Sequence, residues 1–189
     1  PQGHLATVFD EIYHGPGLYR QMYGVSARHY HGEGLIERER ILVRRKDLNS
    51  LNAILGRGKL AIATGRPFLA AKHVLKSILT YFDRKASIFL GDIDVYPELS
   101  GELSVFRKPS GQGLVHTCKI LPSNMLLCVG DSSEDFMMVK NAQSKISAVS
   151  AGVYATSIDK ADQVRFLRNQ GVDLILPTAR SLPSVLRSF

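Results

Sequence analysis

Short apolar runs that alternate with amphipathic stretches constrain this chain most strongly. From residue 60 onward, apolar runs of five or six residues recur at 60–64, 86–90, 125–130, 147–152 and 173–177. Strands of this kind, separated by helices, are typical of βα units that build a parallel sheet covered on both faces. The sequence therefore predicts an α/β fold, a Rossmann-like parallel sheet with helices on both of its faces.

The stretches around these runs carry helical periodicity. Apolar residues at spacings of three and four predict helices over 44–56, 68–82, 113–121, 133–143, 159–171 and, shorter, 181–188. Residues 7–24 show the same spacings on either side of Gly15-Pro16-Gly17. Because glycine and proline interrupt helices, this segment predicts two short helices joined by a break.

The net charge of +7 raises the question of a nucleic-acid partner. The basic residues cluster in 38–46, where arginines and a lysine alternate with Glu37, Glu39 and Asp47. Mixed-sign runs of this kind usually form a solvated helix face, and no aromatic stacking platform lies beside this one. We therefore do not expect nucleic-acid binding, and a positive surface suits a small anionic substrate equally well.

The cellular setting follows from what the sequence lacks. No apolar run is long enough to span a bilayer, and the first residues do not have the basic-then-apolar order of a secretory signal. The two cysteines, Cys118 and Cys128, both lie in or beside apolar runs, which is typical of buried thiols in a reducing compartment. We expect a soluble cytoplasmic protein without a membrane partner.

Polar residues follow the predicted strands at the positions where ligands bind in parallel sheets. Thr64 ends the first run, Asp131 and Asp135 follow the run 125–130, and Lys108 precedes that strand and its helix. A hydroxyl can bind a phosphate oxygen, and a lysine neutralises charge on a transferring phosphoryl group. A carboxylate suits Mg²⁺, which prefers oxygen ligands. Together these residues predict a phosphate site with a metal ion.

Each of these residues also has a purely structural interpretation. Asp131 or Ser132 could cap the following helix, and Asp135 could complement that helix's dipole. Thr64 could belong to a tight strand exit, and Lys108 to a solvated loop. The order of the residues after successive strands favours the phosphate site over four unrelated turns.

Three motifs resemble those of the haloacid-dehalogenase (HAD) superfamily, and most closely its subfamily I phosphatases related to phosphoglycolate phosphatase. They are ATGRP at 63–67, RKPS at 107–110 and VGDSSED at 129–135. The resemblance implies an Mg²⁺-dependent phosphatase acting on a small phosphorylated metabolite. It implies catalytic roles for Thr64 and Lys108, substrate binding by Thr64, Gly65, Arg66 and Lys108, and metal binding by Asp131 and Asp135.

The resemblance covers about residues 35–189, which it identifies as a HAD-like core domain. Residues 1–34 resemble the end of a helical cap and its return to the core. Members of the superfamily form an aspartyl-phosphate on the first aspartate of a DxDG motif, and no DxD precedes Thr64. We therefore expect the first strand, the nucleophile and most of the cap to lie upstream of Pro1.

Two alternatives remain open. Asp92 and Asp94 form a DxD directly after the run 86–90, and either could be a nucleophile in a rearranged core. The chain could also be a non-catalytic relative that keeps a phosphate and metal cleft as a binding module. The identity of the substrate and the oligomeric state are not predicted.

Overall fold

The computed structural model describes residues 3–121 and 123–188 as a mixture of helices and short strands. The strands are β1 (Ala63–Thr64), β2 (Ile88–Phe89), β3 (Met125–Gly130), β4 (Ser147–Val153) and β5 (Leu174–Leu176). The helices are α1 (His4–Tyr23), α2 (Arg45–Leu55), α3 (Phe68–Leu75), α4 (Asp92–Val95), α5 (Ser100–Leu103), α6 (Gln112–Ile120), α7 (Ser133–Ala142), α8 (Lys160–Asn169) and α9 (Leu182–Leu186). Short 3-10 helices lie at Leu35–Arg38, Lys76–Tyr81, Pro97–Leu99, Ser104–Phe106 and Ala179–Ser181.

The strands form two small sheets within the described residues. One pairs β1 with β2, and the other has the order β3-β4-β5. In the second sheet β4 lies parallel to both neighbours, with Cys128 opposite Ser150 and Ala151 opposite Leu174. The predicted α/β class is therefore confirmed at the level of a mixed α/β protein with parallel strands.

The first two strands are shorter than the apolar runs that predict them. The run 60–64 forms a strand only at Ala63–Thr64, and the run 86–90 only at Ile88–Phe89. The Ile62 N–H donates to the Ser87 hydroxyl at 3.0 Å instead of to a backbone carbonyl. A side chain thus takes a hydrogen bond that a longer ladder would use, and apolar composition alone does not reveal this.

The helix predicted over 68–82 also changes character within its range. Helix α3 ends at Leu75, and residues 76–81 continue as a 3-10 helix. Lys76 has a φ of 49° and a ψ of −126°, a non-helical conformation that interrupts the α-helix. Amphipathic spacing continues through both parts. It therefore predicts a helical segment over 68–82 but not the change from α-helix to 3-10 helix at Lys76.

The chain divides into two compact units. The first comprises the described part of Pro1–Ile41 together with Ala63–Thr80 and Phe89–Ser104, and the second comprises Leu42–Ile62, Tyr81–Ile88 and the described part of Val105–Phe189. The division predicted from sequence, at residue 34, remains a prediction.

In the first unit, helix α1 bends at Gly15, whose φ of 71° is non-helical. The two short helices predicted on either side of a break at Gly15-Pro16-Gly17 are therefore confirmed, and α1 contains both of them, joined at Gly15. At the bend the backbone meets the loop before residue 35, since a Cβ on Gly15 would lie 2.7 Å from the Gly34 nitrogen. Leu18, Met22 and Ile36 form the buried core beside this contact.

In the second unit, helices pack on the three-stranded sheet. The side chains of Phe136 and Val139 on α7 and of Leu167 on α8 are almost completely buried. Asp173 joins the start of β5 to β4, because its carboxylate accepts the Ser150 N–H at 2.8 Å and the Ser150 hydroxyl at 2.6 Å. This packing fixes where the loops after β3 and β4 emerge.

None of the helices in the described residues has the length and apolar character needed to cross a membrane. The cytoplasmic location remains a prediction.

Candidate functional site

The loop after β3 is built around Asp135. Helix α7 begins at Ser133, and Ser132 caps it by accepting the Asp135 N–H. In return the Asp135 carboxylate accepts the Ser132 hydroxyl at 2.7 Å and the backbone N–H groups of Ser132 and Asp131 at 3.3 Å each. Because two N-terminal groups satisfy each other, this is a capping box, and it fixes the loop geometry.

Gly130 is required where β3 enters this loop. A Cβ at that position would lie 2.5 Å from Oδ2 of Asp135 and 2.6 Å from its Cβ. The Asp135 side chain therefore packs directly on the Gly130 backbone. Glycine at position 130 thus has a steric reason.

Lys108 forms an ion pair with Asp135, and both side chains are largely buried, at 17% and 11% exposure. Burial alone would raise the pKa of Asp135, but hydrogen bonds from Lys108 and Ser132 outweigh it and hold the pKa below its ordinary value. Lys108 and Asp135, predicted as phosphate-binding and metal-binding residues, are thus brought together in the second unit.

Asp135 also affects the pKa of the Cys128 thiol on β3. Burial, reinforced by the negative charge of Asp135, raises the pKa of Cys128 on β3 to about 11. At neutral pH this cysteine is a protonated thiol, and thiols in that state are poor nucleophiles. The sequence predicts buried thiols at Cys118 and Cys128, but both are only partly buried.

Asp131 differs from Asp135 in being exposed. Its backbone N–H donates to Asp135, and its backbone carbonyl accepts the Gln163 side-chain amide at 2.9 Å. Within residues 3–121 and 123–188, its carboxylate makes no hydrogen bond or ion pair. The two neighbours hold the backbone of Asp131 and leave its carboxylate open to a ligand.

The carboxylates of this loop suit a cation that takes most of its ligands from water and a bound phosphate and few from the protein. No group of three or more His, Cys, Asp and Glu side chains gathers among the described residues. Mg²⁺ is nevertheless commonly bound through one or two carboxylates, with water and phosphate oxygens as its other ligands. The chemistry of Asp131 fits that mode, whereas Asp135 is the weaker candidate because its oxygens already accept Lys108 and Ser132.

Thr64, Gly65 and Arg66 lie in the first unit, at the end of β1. The Thr64 hydroxyl accepts the Arg66 N–H at 3.2 Å, and the Thr64 carbonyl accepts the Leu90 N–H at 2.9 Å. Nothing lies within 4 Å of a Cβ added to Gly65, so the backbone there is accessible. This turn has the open backbone that a phosphate ligand requires.

The Arg66 side chain has a partner that the sequence did not indicate. Its two terminal nitrogens donate to Glu39 at 2.6 and 2.8 Å, and Tyr13 also donates its hydroxyl to Glu39. The guanidinium lies 5.8 Å from the centre of the Tyr13 ring. Burial and the bond to Glu39 raise the pKa of Tyr13 to about 12. The sequence predicts Glu39 on a solvated charged face, whereas its side chain is only 26% exposed and is paired with Arg66.

Asp92, the first of the two alternative nucleophiles, is buried, and its Oδ1 accepts the Phe68 N–H at 2.7 Å. Phe68 is the first residue of α3, so Asp92 stabilises the beginning of that helix. Asp94 is exposed. The DxD pair therefore divides into one structural carboxylate and one surface carboxylate.

Glu11 is a buried carboxylate that lies outside every motif. Glu11 on α1 is 1% exposed and accepts the backbone N–H groups of Arg28, His29 and Tyr30 at 2.9, 2.6 and 3.0 Å. Burial opposes ionisation, but these three bonds outweigh it and lower the pKa of Glu11. A single glutamate in an amphipathic helix gives no sequence signal for this role.

No protein-family model, curated protein or solved structure matches the chain. The resemblance to the HAD superfamily therefore rests on the three motifs and remains a prediction.

Proposed function

We propose that this protein is an Mg²⁺-dependent phosphomonoester hydrolase of the HAD type, with a small phosphorylated metabolite as its substrate. The observation that carries the proposal is the exposed carboxylate of Asp131, held by its backbone at the carboxyl end of β3. Ligands in parallel sheets bind at that end of the strands.

The arrangement that we propose for the whole protein is Rossmann-like, with helices on both faces of a parallel sheet. The parallel order β3-β4-β5, with α7 and α8 as the connections, supports it. Connections of this type bring the loops after β3 and β4 to one edge of a sheet.

Each predicted site residue then has a role. Asp131 would hold Mg²⁺, which supplies charge neutralisation and orients phosphate oxygens when bound. Lys108 would bind and neutralise the phosphoryl group, and Asp135 would hold the lysine side chain in position. In the first unit, considered by itself, the Thr64 hydroxyl and the open backbone at Gly65 could bind an anion, and Arg66 could contribute only by giving up Glu39.

A second function has an observation of its own. Asp92, the carboxylate that follows β2, is buried and already accepts the Phe68 N–H, so it is engaged in holding the fold. This observation favours a binding module that holds Mg²⁺ and phosphate without turning over a substrate.

One set of measurements separates the two functions. Hydrolysis of p-nitrophenyl phosphate is measured with Mg²⁺ and with EDTA, and Mg²⁺ binding is measured by calorimetry. For a phosphatase, Asp131→Asn should lower kcat/KM by at least about a hundredfold, as loss of one electrostatic group in an active site does. Glu134→Gln is the matched control, because it removes the same charge from an exposed neighbouring position.

The remaining outcomes are equally informative. Mg²⁺ binding that is lost in Asp131→Asn, without turnover by the natural chain, would establish the binding module. Turnover that survives EDTA or Asp131→Asn would contradict the phosphatase proposal. If Asp92→Asn abolishes turnover and retains Mg²⁺ binding, the nucleophile is Asp92.

A further inference from the structure

Most of the net charge of the chain lies in four short segments of the second unit. We call the surface that they form the basic face and define it by the segments 55–60, 83–86, 116–125 and 143–147, of which residue 122 is outside the described residues. The segments contain six lysine and arginine residues and one acidic residue, which gives a formal charge of +5 out of +7 for the whole chain. None of the roles proposed above uses this charge.

Two hydrogen bonds join the first three segments. The Asp83 N–H donates to the Leu60 carbonyl at 2.7 Å, so the loop after α2 lies beside the loop before β2. The Thr117 hydroxyl, in the second half of α6, donates to the Ala86 carbonyl at 2.8 Å. The loop 83–86 is therefore in contact with both of the other segments.

The strand pairing adds the fourth segment. Strand β3 begins at Met125, and this residue lies opposite Ser147, the first residue of β4. Lys145 precedes Ser147 by two positions. Because parallel neighbours run in the same direction, the segments 116–125 and 143–147 meet at the amino ends of β3 and β4.

Four cations of the basic face are exposed, namely Arg57, Lys85, Lys119 and Lys145. Within residues 3–121 and 123–188, their side chains make no ion pair and no hydrogen bond. An exposed and unpaired cation keeps its attraction for an external anion, and several on one surface add their fields. The basic face therefore favours a partner with many negative charges.

Two carboxylates lie in or beside the basic face, and both accept backbone N–H groups. Asp83 accepts those of Lys85 and Ala86 at 2.9 and 2.8 Å. Asp173, in the loop before β5 at the border of the face, accepts that of Ser150 at 2.8 Å. These carboxylates stabilise the loops, and the four exposed cations outnumber them.

Exposed aliphatic side chains accompany the cations. Ile120 at the end of α6 is 42% exposed, Met125 at the start of β3 is 58% exposed, and Leu55 at the end of α2 is 40% exposed. Among the described residues of the second unit, no exposed large hydrophobic side chain is aromatic. Proteins that bind single-stranded nucleic acids stack the bases on aromatic rings, whereas an anionic membrane surface attracts cations and takes up aliphatic groups. The composition therefore favours a membrane surface.

We propose that the basic face docks on an anionic lipid membrane, with the four exposed cations contacting lipid headgroups and Ile120 and Met125 entering the interface between them. The sequence predicts no membrane partner, because the four segments come together only through folding. The basic face lies at the amino end of β3, whereas Asp131 follows the carboxyl end of that strand, roughly 15–20 Å away. The inference is therefore independent of the proposed function and leaves the loop of Asp131 accessible.

Vesicle sedimentation of the full chain tests the proposal. Vesicles of phosphatidylcholine alone are compared with vesicles of phosphatidylcholine and phosphatidylserine in equal parts, at low and at high salt. The chain should bind only the mixed vesicles, and the binding should weaken at high salt, since salt screens interactions between exposed charges. Equal binding to both kinds of vesicle, or binding to neither, would overturn the proposal.

Substitution of three lysines locates the contact. The triple variant Lys85→Gln, Lys119→Gln, Lys145→Gln should lower the partition coefficient on the mixed vesicles about a hundredfold, because each cation near an anionic surface contributes about fivefold. All three side chains are exposed, and far-ultraviolet circular dichroism checks that the variant folds.

A second triple variant controls for net charge. Lys46→Gln, Lys72→Gln, Lys160→Gln removes the same charge from exposed lysines outside the basic face and should change the partition coefficient much less. Equal losses in the two triple variants would show a general attraction by net charge and would refute the face.

The aliphatic side chains distinguish a membrane from a nucleic acid. The double variant Ile120→Gln, Met125→Gln should weaken vesicle binding at least about tenfold, since the exposed parts of the two residues together equal about one whole residue. Unchanged vesicle binding in this variant would contradict insertion. A single-stranded oligonucleotide is tested by fluorescence anisotropy. If it binds the natural chain and the control but not the Lys85, Lys119, Lys145 variant, while vesicles do not bind, the face is a nucleic-acid surface and the membrane proposal is wrong.

Discussion

Each of the two units contains an ion pair between a predicted phosphate-binding cation and a carboxylate, and the two pairs differ in burial and origin. Lys108–Asp135 in the second unit is largely buried, whereas the Arg66 and Glu39 side chains in the first unit are 41% and 26% exposed. Asp135 belongs to the motif that predicted the site, but Glu39 lies in none. The motifs thus include the carboxylate partner of Lys108 but not that of Arg66.

The difference in burial predicts how much each ion pair stabilises its unit. The buried pair lies within a capping box and against the Gly130 backbone, so its removal should disturb local structure. The exposed pair is accessible to water and should contribute less. Asp135→Asn and Glu39→Gln test this ranking, and Gly34→Ala tests a backbone contact in the first unit.

The largest effect is expected for Asp135→Asn. Removing this charge leaves Lys108 buried without its partner, a change that typically costs about 3 kcal/mol of folding free energy. Urea unfolding followed by circular dichroism measures it. Asp162→Asn is the control, since Asp162 pairs with Arg165 on the exposed surface of α8, and its loss should cost less than about 1 kcal/mol.

The same variant should change the acid sensitivity of the protein. The pKa of Asp135 is lower in the folded state than its unfolded value of about 3.9. Its stabilisation is therefore complete above the unfolded value and is lost as the pH falls through the folded one. The natural chain should lose stability more steeply than Asp135→Asn in this range, and identical acid limbs would show that the pair contributes nothing.

A medium effect is expected for Gly34→Ala in the first unit. A Cβ there would lie 2.5 Å from the His14 carbonyl carbon and 2.6 Å from the Gly15 nitrogen, and backbone atoms cannot rotate away. Overpacking of this kind costs about 1–3 kcal/mol. Gly17→Ala, with nothing within 4 Å, should instead be neutral or stabilising by about 0.5–1 kcal/mol. Thermal unfolding compares the two, and similar midpoints would contradict the close approach.

The smallest effect is expected for Glu39→Gln. Because the pair with Arg66 is partly exposed, the loss of folding free energy should be about 0.5–1 kcal/mol. The pKa of Tyr13 should fall from about 12, since Glu39 is one cause of its elevation, but should stay above 10 because burial is the larger cause. Ultraviolet titration of the tyrosines measures this, and an unchanged titration curve would argue against the contact.

Much of the second unit could be predicted from periodicity. The predicted strand 125–130 coincides with β3, and the predicted helix 133–143 differs from α7 at one residue. Lys108 and Asp135, which the sequence predicts at one edge of the sheet, do meet, whereas their role in a site stays a prediction. Local apolar spacing and a capping box suffice for these features because each depends on residues close in the chain.

Other features required contacts that no local pattern encodes. Ser87 shortens the first sheet, Glu39 pairs with Arg66, and Asp92 accepts the N–H of Phe68. These partners lie 24 to 27 residues apart. A short polar residue in a loop has the same sequence appearance whether it is solvated or buried in such a contact.

The sequence by itself determined the α/β class, the kink of α1 at Gly15 and the loop that presents Asp131, because apolar period, glycine and capping residues act locally. Only the tertiary structure decided which carboxylates remain open to a ligand. Asp135 and Glu39 are neutralised by cations brought to them by folding, whereas Asp131 is exposed. A charged side chain is available to a ligand only where folding gives it no partner, and that depends on contacts between residues far apart in the sequence.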